Sequence, residues 1–566
     1  MSRPSDHIDS PAPRPRGDDV TQPRLGPIGY LRFFWRQLTS MRTALFLLLL
    51  LAIAAVPGSL FPQRSSDPNG VTLYFTTNKA LAPVLDKLQL FDVYTSAWFS
   101  AIYLLLFVSL IGCVIPRTIF HLKALASAPP RTPARLDRLG AFRAFEVAPN
   151  QADAAGTPIT AASAIEAARA MLRGSGYRVR LFDGPASSGG GTLSVSAERG
   201  YLRETGNLVF HIALIGILLS VGIGGGFGYT GQKVLVTGQA FANVRLTYDS
   251  FNPGRFFTDS ALVPYRLILN KFSAKYEEQN RNAYGQPIDY TANVTTYEAV
   301  GTATKEVIKV NDPLRIGGNE IYLLGNGYAP SITVRDPTGK VVFSESVPFL
   351  AQDANLTSIG IVKIPDGLAT QVGMRGFFYP TAAKNEAGTF SSTHPDLRNP
   401  MLSLVLYTGD LGINQGTPKS VYSLDSDRMT EVAGPGAASR TGALRLAPGQ
   451  TAQIPGGLGS ITFDNTAPKS DAADLEKSVP RFASFDVHRD PTQGWVLFFA
   501  ICVLLGLLTS LFIPRRRVWV KAIEQEDGRL RLEYAGLARG EDPGLDSAVS
   551  EIAERHSQRL GLKLTS

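Results

Sequence analysis

Four stretches of this chain, 44–60, 98–115, 208–227 and 495–513, contain no Asp, Glu, Lys or Arg. Each is about as long as a helix needs to be to cross the hydrocarbon core of a bilayer, roughly 20 residues. Only a helix satisfies every backbone polar group within one such segment, so the sequence predicts four transmembrane helices. The first is expected to stay as an anchor. A polar stretch, residues 1–40, precedes it, and its Pro57-Gly58-Ser59-Leu60-Phe61-Pro62 exit is not a small-residue cleavage site.

Averaged over 566 residues these extremes disappear: 44% of the chain is hydrophobic and 18% charged. The formal charge of +8 makes sense once it is divided among the loops. Residues 1–43, 116–206 and 514–566 together hold 29 Lys/Arg against 20 Asp/Glu, whereas 61–97 and 230–493 hold 27 against 28. Basic clusters sit at the span ends: Arg32, Arg36 and Arg42, then Arg117 and Lys123, then Arg515-Arg516-Arg517. By the positive-inside rule both termini and 116–206 are cytoplasmic, and 61–97 and 229–493 are extracytoplasmic, in a multi-pass plasma-membrane protein. Trp35, Trp98, Trp495 and Trp519 all lie near span ends, where indoles prefer the interface. Topology therefore accounts for the positive charge, and nucleic acid is not expected as a partner.

The expected layout is a disordered tail (1–40), spans at 41–60, 98–115, 207–228 and 494–513, an external loop (61–97), a cytoplasmic α/β loop (116–206), an extracytoplasmic β-rich domain (229–493) and a cytoplasmic tail (514–566). In the α/β loop, 161–173 has apolar residues at helical spacing, followed by strand-like 177–181 and 192–195 with a hairpin loop at 187–191. The tail repeats the theme with strands at 518–523 and 530–534 and a helix at 545–560. The region 229–493 alternates β-branched and aromatic runs with turns: strands are expected at 233–237, 244–248, 265–272, 290–297, 306–310, 320–324, 331–335 and 341–345, with Asp336-Pro337-Thr338-Gly339 as a turn. It is large enough to bury its own core and carries no serine-hydrolase, zincin or P-loop motif. A scaffold or binding surface is the plain reading of such a domain.

Six histidines and two cysteines restrict the chemistry available. His7, His121, His394, His488 and His556 lie outside the apolar segments; neither His394 nor His488 has a companion at ligand spacing. His211 alone lies within one, where an ionisable group is costly and marks a functional candidate. Gly216, Ser220 and Gly224 form a small-residue ridge suited to helix packing. His211 is turned about 140° from Gly216, away from that ridge. Two roles are open for it: an axial ligand of haem iron, or a hydrogen bond to a neighbouring helix. Cys113 and Cys502 fall at different depths of their spans, which argues against a disulfide and for small buried side chains.

Several local motifs, in order, resemble the ResB family of system II cytochrome c biogenesis: Ser40-Met41-Arg42 and Gly58 to Gln63 around the first span; Gly112-Cys113-Val114-Ile115-Pro116-Arg117; Ala197-Glu198-Arg199-Gly200 with Gly206-Asn207-Leu208-Val209-Phe210-His211; Val310-Asn311-Asp312-Pro313-Leu314 with Gly317-Gly318-Asn319-Glu320-Ile321-Tyr322; and Pro514-Arg515-Arg516-Arg517-Val518-Trp519-Val520. The resemblance covers nearly the whole chain after its N-terminal tail. It implies a subunit that, with a ResC/CcsA-type membrane partner, delivers haem across the membrane and supports its thioether attachment to apocytochrome c, catalytic only as part of that synthase complex. It also implies that His211 is a haem ligand. No tryptophan-rich external motif is present, so the chain resembles the ResB half alone. In the topology above, His211 lies near the cytoplasmic end of its span, which suits haem entry better than attachment outside. Two other readings stand beside this one: a non-catalytic scaffold or chaperone whose β domain holds a client, and a haem-b electron carrier, against which a single intramembrane histidine argues.

Overall fold

A computed structural model describes residues 26–562 apart from 150, 153–155, 184–191, 300, 385, 387, 414–423, 427–428, 439–440 and 472–473. The hairpin loop expected at 187–191 and most of the N-terminal tail lie outside the described residues. The chain divides into two compact units, Met1–Leu218 with Trp495–Ser566, and Leu219–Gly494.

Four helices are long and apolar enough to cross a membrane: Met41–Leu60, Ala97–Ala126, Leu202–Phe227 and Gln493–Phe512. They are the first to fourth spans below. Serines start two of them. The Ser40 hydroxyl accepts the Thr43 amide at 3.2 Å and Ser96 that of Phe99 at 3.3 Å, each satisfying one of the amides a helix start leaves free. Within its most apolar window the third span is 28% buried and the others 6–17%, so most of their side chains face outward, as in lipid. The second span continues past residue 115, with Pro116 inside it.

Residues 27–38 depart from the expected disordered tail. Pro27–Leu38 is a helix with Pro at its start and exposed Ile28, Leu31, Phe34 and Trp35. Arg32 and Arg36 beside that apolar face give it the composition of a helix lying at a membrane surface. It docks on the second span, where the Ser109 hydroxyl donates to Leu38 O at 2.5 Å and the Cys113 thiol to Thr39 O at 2.8 Å.

The loop between the second and third spans and the C-terminal tail form one domain, not two. A five-stranded antiparallel sheet runs Ala141–Val147, Leu530–Ala538, Arg516–Glu524, Thr192–Arg199, Arg178–Asp183. Helices Ala161–Gly174 and Leu545–Arg559 pack on it, with Ile165, Leu172, Val195, Val520, Leu532 and Val549 in a shared core. Two- and three-stranded pieces cover too little apolar surface to be stable separately, which is why the halves combine. Strand Ala141–Val147 was not anticipated.

The unit Leu219–Gly494 is β-rich, as expected, and its strands pair antiparallel. The first sheet has the order Leu314–Ile316, Asn319–Tyr328, Arg481–Arg489, Tyr229–Val236, Ser250–Pro253. A second contains Tyr265–Tyr276 and Pro287–Glu298, and these two enclose a core that includes Leu235, Leu267, Val294, Ile321 and Phe485. Further sheets built on Ser331–Arg335 and on Val372–Tyr379 share another core around Tyr328, Phe349, Phe378 and Phe463. The Asp336–Gly339 turn forms as its sequence predicts: Asp336 Oδ1 accepts the amides of Thr338 and Lys340 at 2.8 and 3.0 Å, and Gly339 has φ +90°.

Residues 244–248 are not a strand. Arg245–Thr247 is a 3-10 turn, because its flanks are drawn inward. Buried Asn243 accepts the Tyr248 hydroxyl at 2.6 Å and donates to Val263 O at 2.9 Å, and the Tyr229 hydroxyl donates to Asn319 at 2.9 Å. Asn319, from the Gly-Gly-Asn-Glu-Ile-Tyr motif, thus completes a buried polar network with Tyr229.

Candidate functional site

The third span is placed by its small residues. Gly206 and Gly506 meet backbone to backbone: a Cβ on Gly506 would lie 2.7 Å from Gly206 O and from Phe210 N. A Cβ on Gly216 would fall 2.5 Å from the Phe499 ring. One turn on, Ser220 is buried and its carbonyl accepts the Thr492 hydroxyl at 2.8 Å. This face packs along the fourth span and its approach, as the ridge of small residues predicts. On another side the Tyr103 hydroxyl of the second span donates to Leu218 O.

His211 is five residues from both Gly206 and Gly216, so it projects about 140° from each. It is half-buried. Its Nδ1 lies 2.7 Å from Asn207 O, one turn earlier. A carbonyl only accepts, so Nδ1 carries the proton and the lone pair resides on Nε2. Among the described residues Nε2 has no hydrogen-bond partner, and the Phe210 ring stands edge-on at 5.0 Å. An imidazole oriented through one nitrogen and open at the other is an arrangement that fits a ligand of haem iron. The alternative role, a hydrogen bond to a neighbouring helix, is not made among the described residues.

The other described histidines are occupied. His121, buried on the second-span helix, has Nε2 3.0 Å from the Thr205 hydroxyl. His556 is fully buried between Tyr534 OH at 2.7 Å and Ala164 O at 2.8 Å, and burial pushes its pKa down to about 4. His394 Nδ1 accepts the Asp396 amide at 3.1 Å, and Arg398 stands 3.2 Å from Nε2. Burial foremost, then the Arg398 charge, holds the His394 pKa below its usual range. Glu278, His394 and Asp396 converge closely enough to hold a metal ion. The carboxylates are already taken, however, Glu278 by Arg398 at 2.6 Å and Asp396 by Arg481 at 3.0 Å, so two guanidinium groups supply the positive charge there. His488 bonds Asp486 through Nε2 at 2.7 Å, which raises its pKa.

Sequence reasoning missed one buried cluster. Glu198, just before the third span, accepts Arg515 Nε at 2.8 Å from beyond the fourth and the Tyr201 hydroxyl at 3.0 Å, and forms an ion pair with Arg517 at 3.1 Å. Arg515 also lies 5.0 Å over the Tyr201 ring. Gly200, with φ +87°, allows this approach, since a Cβ there would meet the Pro514–Arg515 backbone. Burial raises the Glu198 pKa, but Arg515 and Arg517 outweigh it and hold the carboxyl below its ordinary value. The clue was available: an acidic motif before one span and a triple arginine after another.

These features define a four-span membrane protein with a β-rich domain between its third and fourth spans and one histidine open at Nε2 within the third. The model of the ResB-like family matches residues 41–550, and the chain belongs to that family. Its relatives include proteins named cytochrome c biogenesis protein CcsB. That of Prochlorococcus marinus (strain NATL2A) is 26% identical over 293 residues, 50% of this chain and 59% of the relative. That of Gloeobacter violaceus is 25% identical over 336 residues, 55% and 63% respectively, and that of Paulinella chromatophora 22% over 302 residues, 50% and 60%. The chain thus spans about six tenths of the length of the relatives it matches.

Proposed function

We propose that this chain acts in cytochrome c biogenesis of the system II type, as the ResB-like subunit of a complex with a ResC/CcsA-type membrane partner. The complex delivers haem across the membrane and supports its thioether attachment to apocytochrome c. Family membership supports the pathway, and His211 carries the haem assignment. His211 Nε2 would hold haem through its iron, and the haem would supply the group to be attached to apocytochrome c. The Asn207 carbonyl accepts from Nδ1, so Nε2 is the nitrogen left to face the iron. Phe210 restricts ring rotation, and the Gly206 and Gly216 contacts hold the helix so that the ring faces away from the fourth span.

The sidedness is part of the proposal: termini and 116–206 in the cytoplasm, 61–97 and 229–493 outside. The five-stranded sheet shared by 141–199 and 516–538 supports it, because both basic segments must then lie on one side.

His211→Ala, purified with its partner in detergent, is expected to lose most of the co-purified haem absorbance, and added imidazole to restore it. Unchanged haem content in a variant with wild-type circular dichroism overturns the ligand assignment. Haem absent from both the wild-type chain and its complex favours the scaffold reading instead.

A further inference from the structure

The third span ends at Phe227, yet the polypeptide returns to that end 26 residues later. Strand Ser250–Pro253 pairs with Tyr229–Val236 so that Pro253 lies opposite Tyr229. Beyond it the chain folds onto the helix terminus: the Gly254 amide donates to Gly228 O at 2.9 Å and the Phe256 amide to Gly226 O at 2.8 Å. Helix ends leave carbonyls without internal donors, and here a distant turn supplies one. The approach requires glycine, since a Cβ on Gly254 would lie 2.5 Å from Gly225 O.

Side chains of this turn divide by direction. Phe257 is half-buried against Tyr229, ring centroids 5.3 Å apart. Phe256 points out, 60% exposed, and packs on Phe227, itself 51% exposed, at 5.4 Å. Arg255 between them is exposed and has no ion pair or hydrogen bond among the described residues. Water is a poor environment for an exposed aromatic pair, because each ring keeps apolar surface in contact with it. At the end of a membrane-spanning helix the aromatic pair sits instead at the depth where aromatic side chains are enriched, next to lipid phosphates that suit an arginine.

We propose that the turn 253–257 is a second membrane contact of the β-rich domain, with Phe256 and Phe227 in the acyl–headgroup boundary and Arg255 on lipid phosphate. The bilayer is the occupant because the turn is hydrogen-bonded to the span itself, so whatever surrounds the end of the span surrounds Phe256. The contact adds a point of attachment to the polypeptide connection and limits tilting of the domain on the membrane.

Spin labels on the full chain in phospholipid vesicles, with Cys113 and Cys502 replaced by Ala, test this. The labelled variants are F256C, R255C and, as reference, T338C. Thr338 is remote because strand Asn319–Tyr328 leads away from the spans, Glu320 opposite His488 at the near end and Tyr328 opposite Arg481 at the far end. F256C is expected to collide with oxygen more than with a water-soluble nickel chelate, with nickel access several-fold below that of T338C, and R255C to fall between. Nickel access at F256C and R255C equal to T338C overturns the proposal and leaves the patch to a protein partner. R255C replaces an exposed side chain with no hydrogen bond or ion pair among the described residues, so the comparison survives if F256C disturbs folding.

Discussion

Both ring nitrogens of His556 are engaged, by Tyr534 and Ala164, whereas His211 keeps Nε2 open. That difference separates a structural histidine from the proposed ligand more sharply than burial does. It also has a pH signature. With its pKa lowered to about 4 against roughly 6.5 unfolded, His556 binds fewer protons folded than unfolded between those values. Its stabilisation is complete above pH 6.5 and declines as pH falls toward 4, by about 3 kcal/mol in all. The melting temperature of the detergent-solubilised chain, followed by fluorescence of Trp519, which is buried in the sheet on which the His556 helix packs, is expected to drop across this window, and less so in H556Q. The sequence marked His211 because an ionisable group among apolar residues is conspicuous. It was silent on Nδ1, since Asn207 contributes a backbone carbonyl that any residue would provide.

Helices and strands were legible where one face is apolar. The spans followed from length and the absence of charge, and the helices at 161–174 and 545–559 and strands such as 331–335 from periodicity and composition. Strands past residue 346, including Ser358–Ile364 and Val372–Tyr379, were not anticipated, and the turn at 245–247 looks like a strand until Asn243 and Tyr248 find their buried partners. The pairing of Glu198 with Arg515 was also hidden, because the residues are 317 positions apart. Glu198→Gln is expected to cost about 1.5–3 kcal/mol by removing the carboxylate nearest to buried Arg515, which then keeps, among the described residues, only Glu204, 4.0 Å away, as a counter-ion. An apolar replacement of both residues should cost less, which comparison of the two melting curves would show. At the helix crossing, Gly506→Val places methyl groups against Gly206 O and Phe210 N, and a loss of about 1–3 kcal/mol is expected from overpacking, read as a lower melting temperature and, by the proposal for His211, reduced haem.

For the molecule as a whole, the arrangement of basic loops makes a prediction that single contacts do not. A cysteine at Thr338 should react with a membrane-impermeant maleimide in intact cells, and one at Glu526 only after permeabilisation, with Cys113 and Cys502 replaced in both. Equal labelling before permeabilisation would reverse or abolish the proposed sidedness.

The five-stranded sheet has a consequence for biosynthesis. Its two tail strands, Arg516–Glu524 and Leu530–Ala538, lie between the strands of the loop, so Thr192–Arg199 and Ala141–Val147 each present an open edge until the ribosome has completed the fourth span. During that interval the β-rich domain is made and the loop waits with exposed backbone donors and acceptors, the condition that favours mispairing. Truncation before residue 516 would make the interval permanent. Such a chain should retain its first three spans yet accumulate as a protease-sensitive or aggregated species, making the C-terminal segment the clasp that closes the fold.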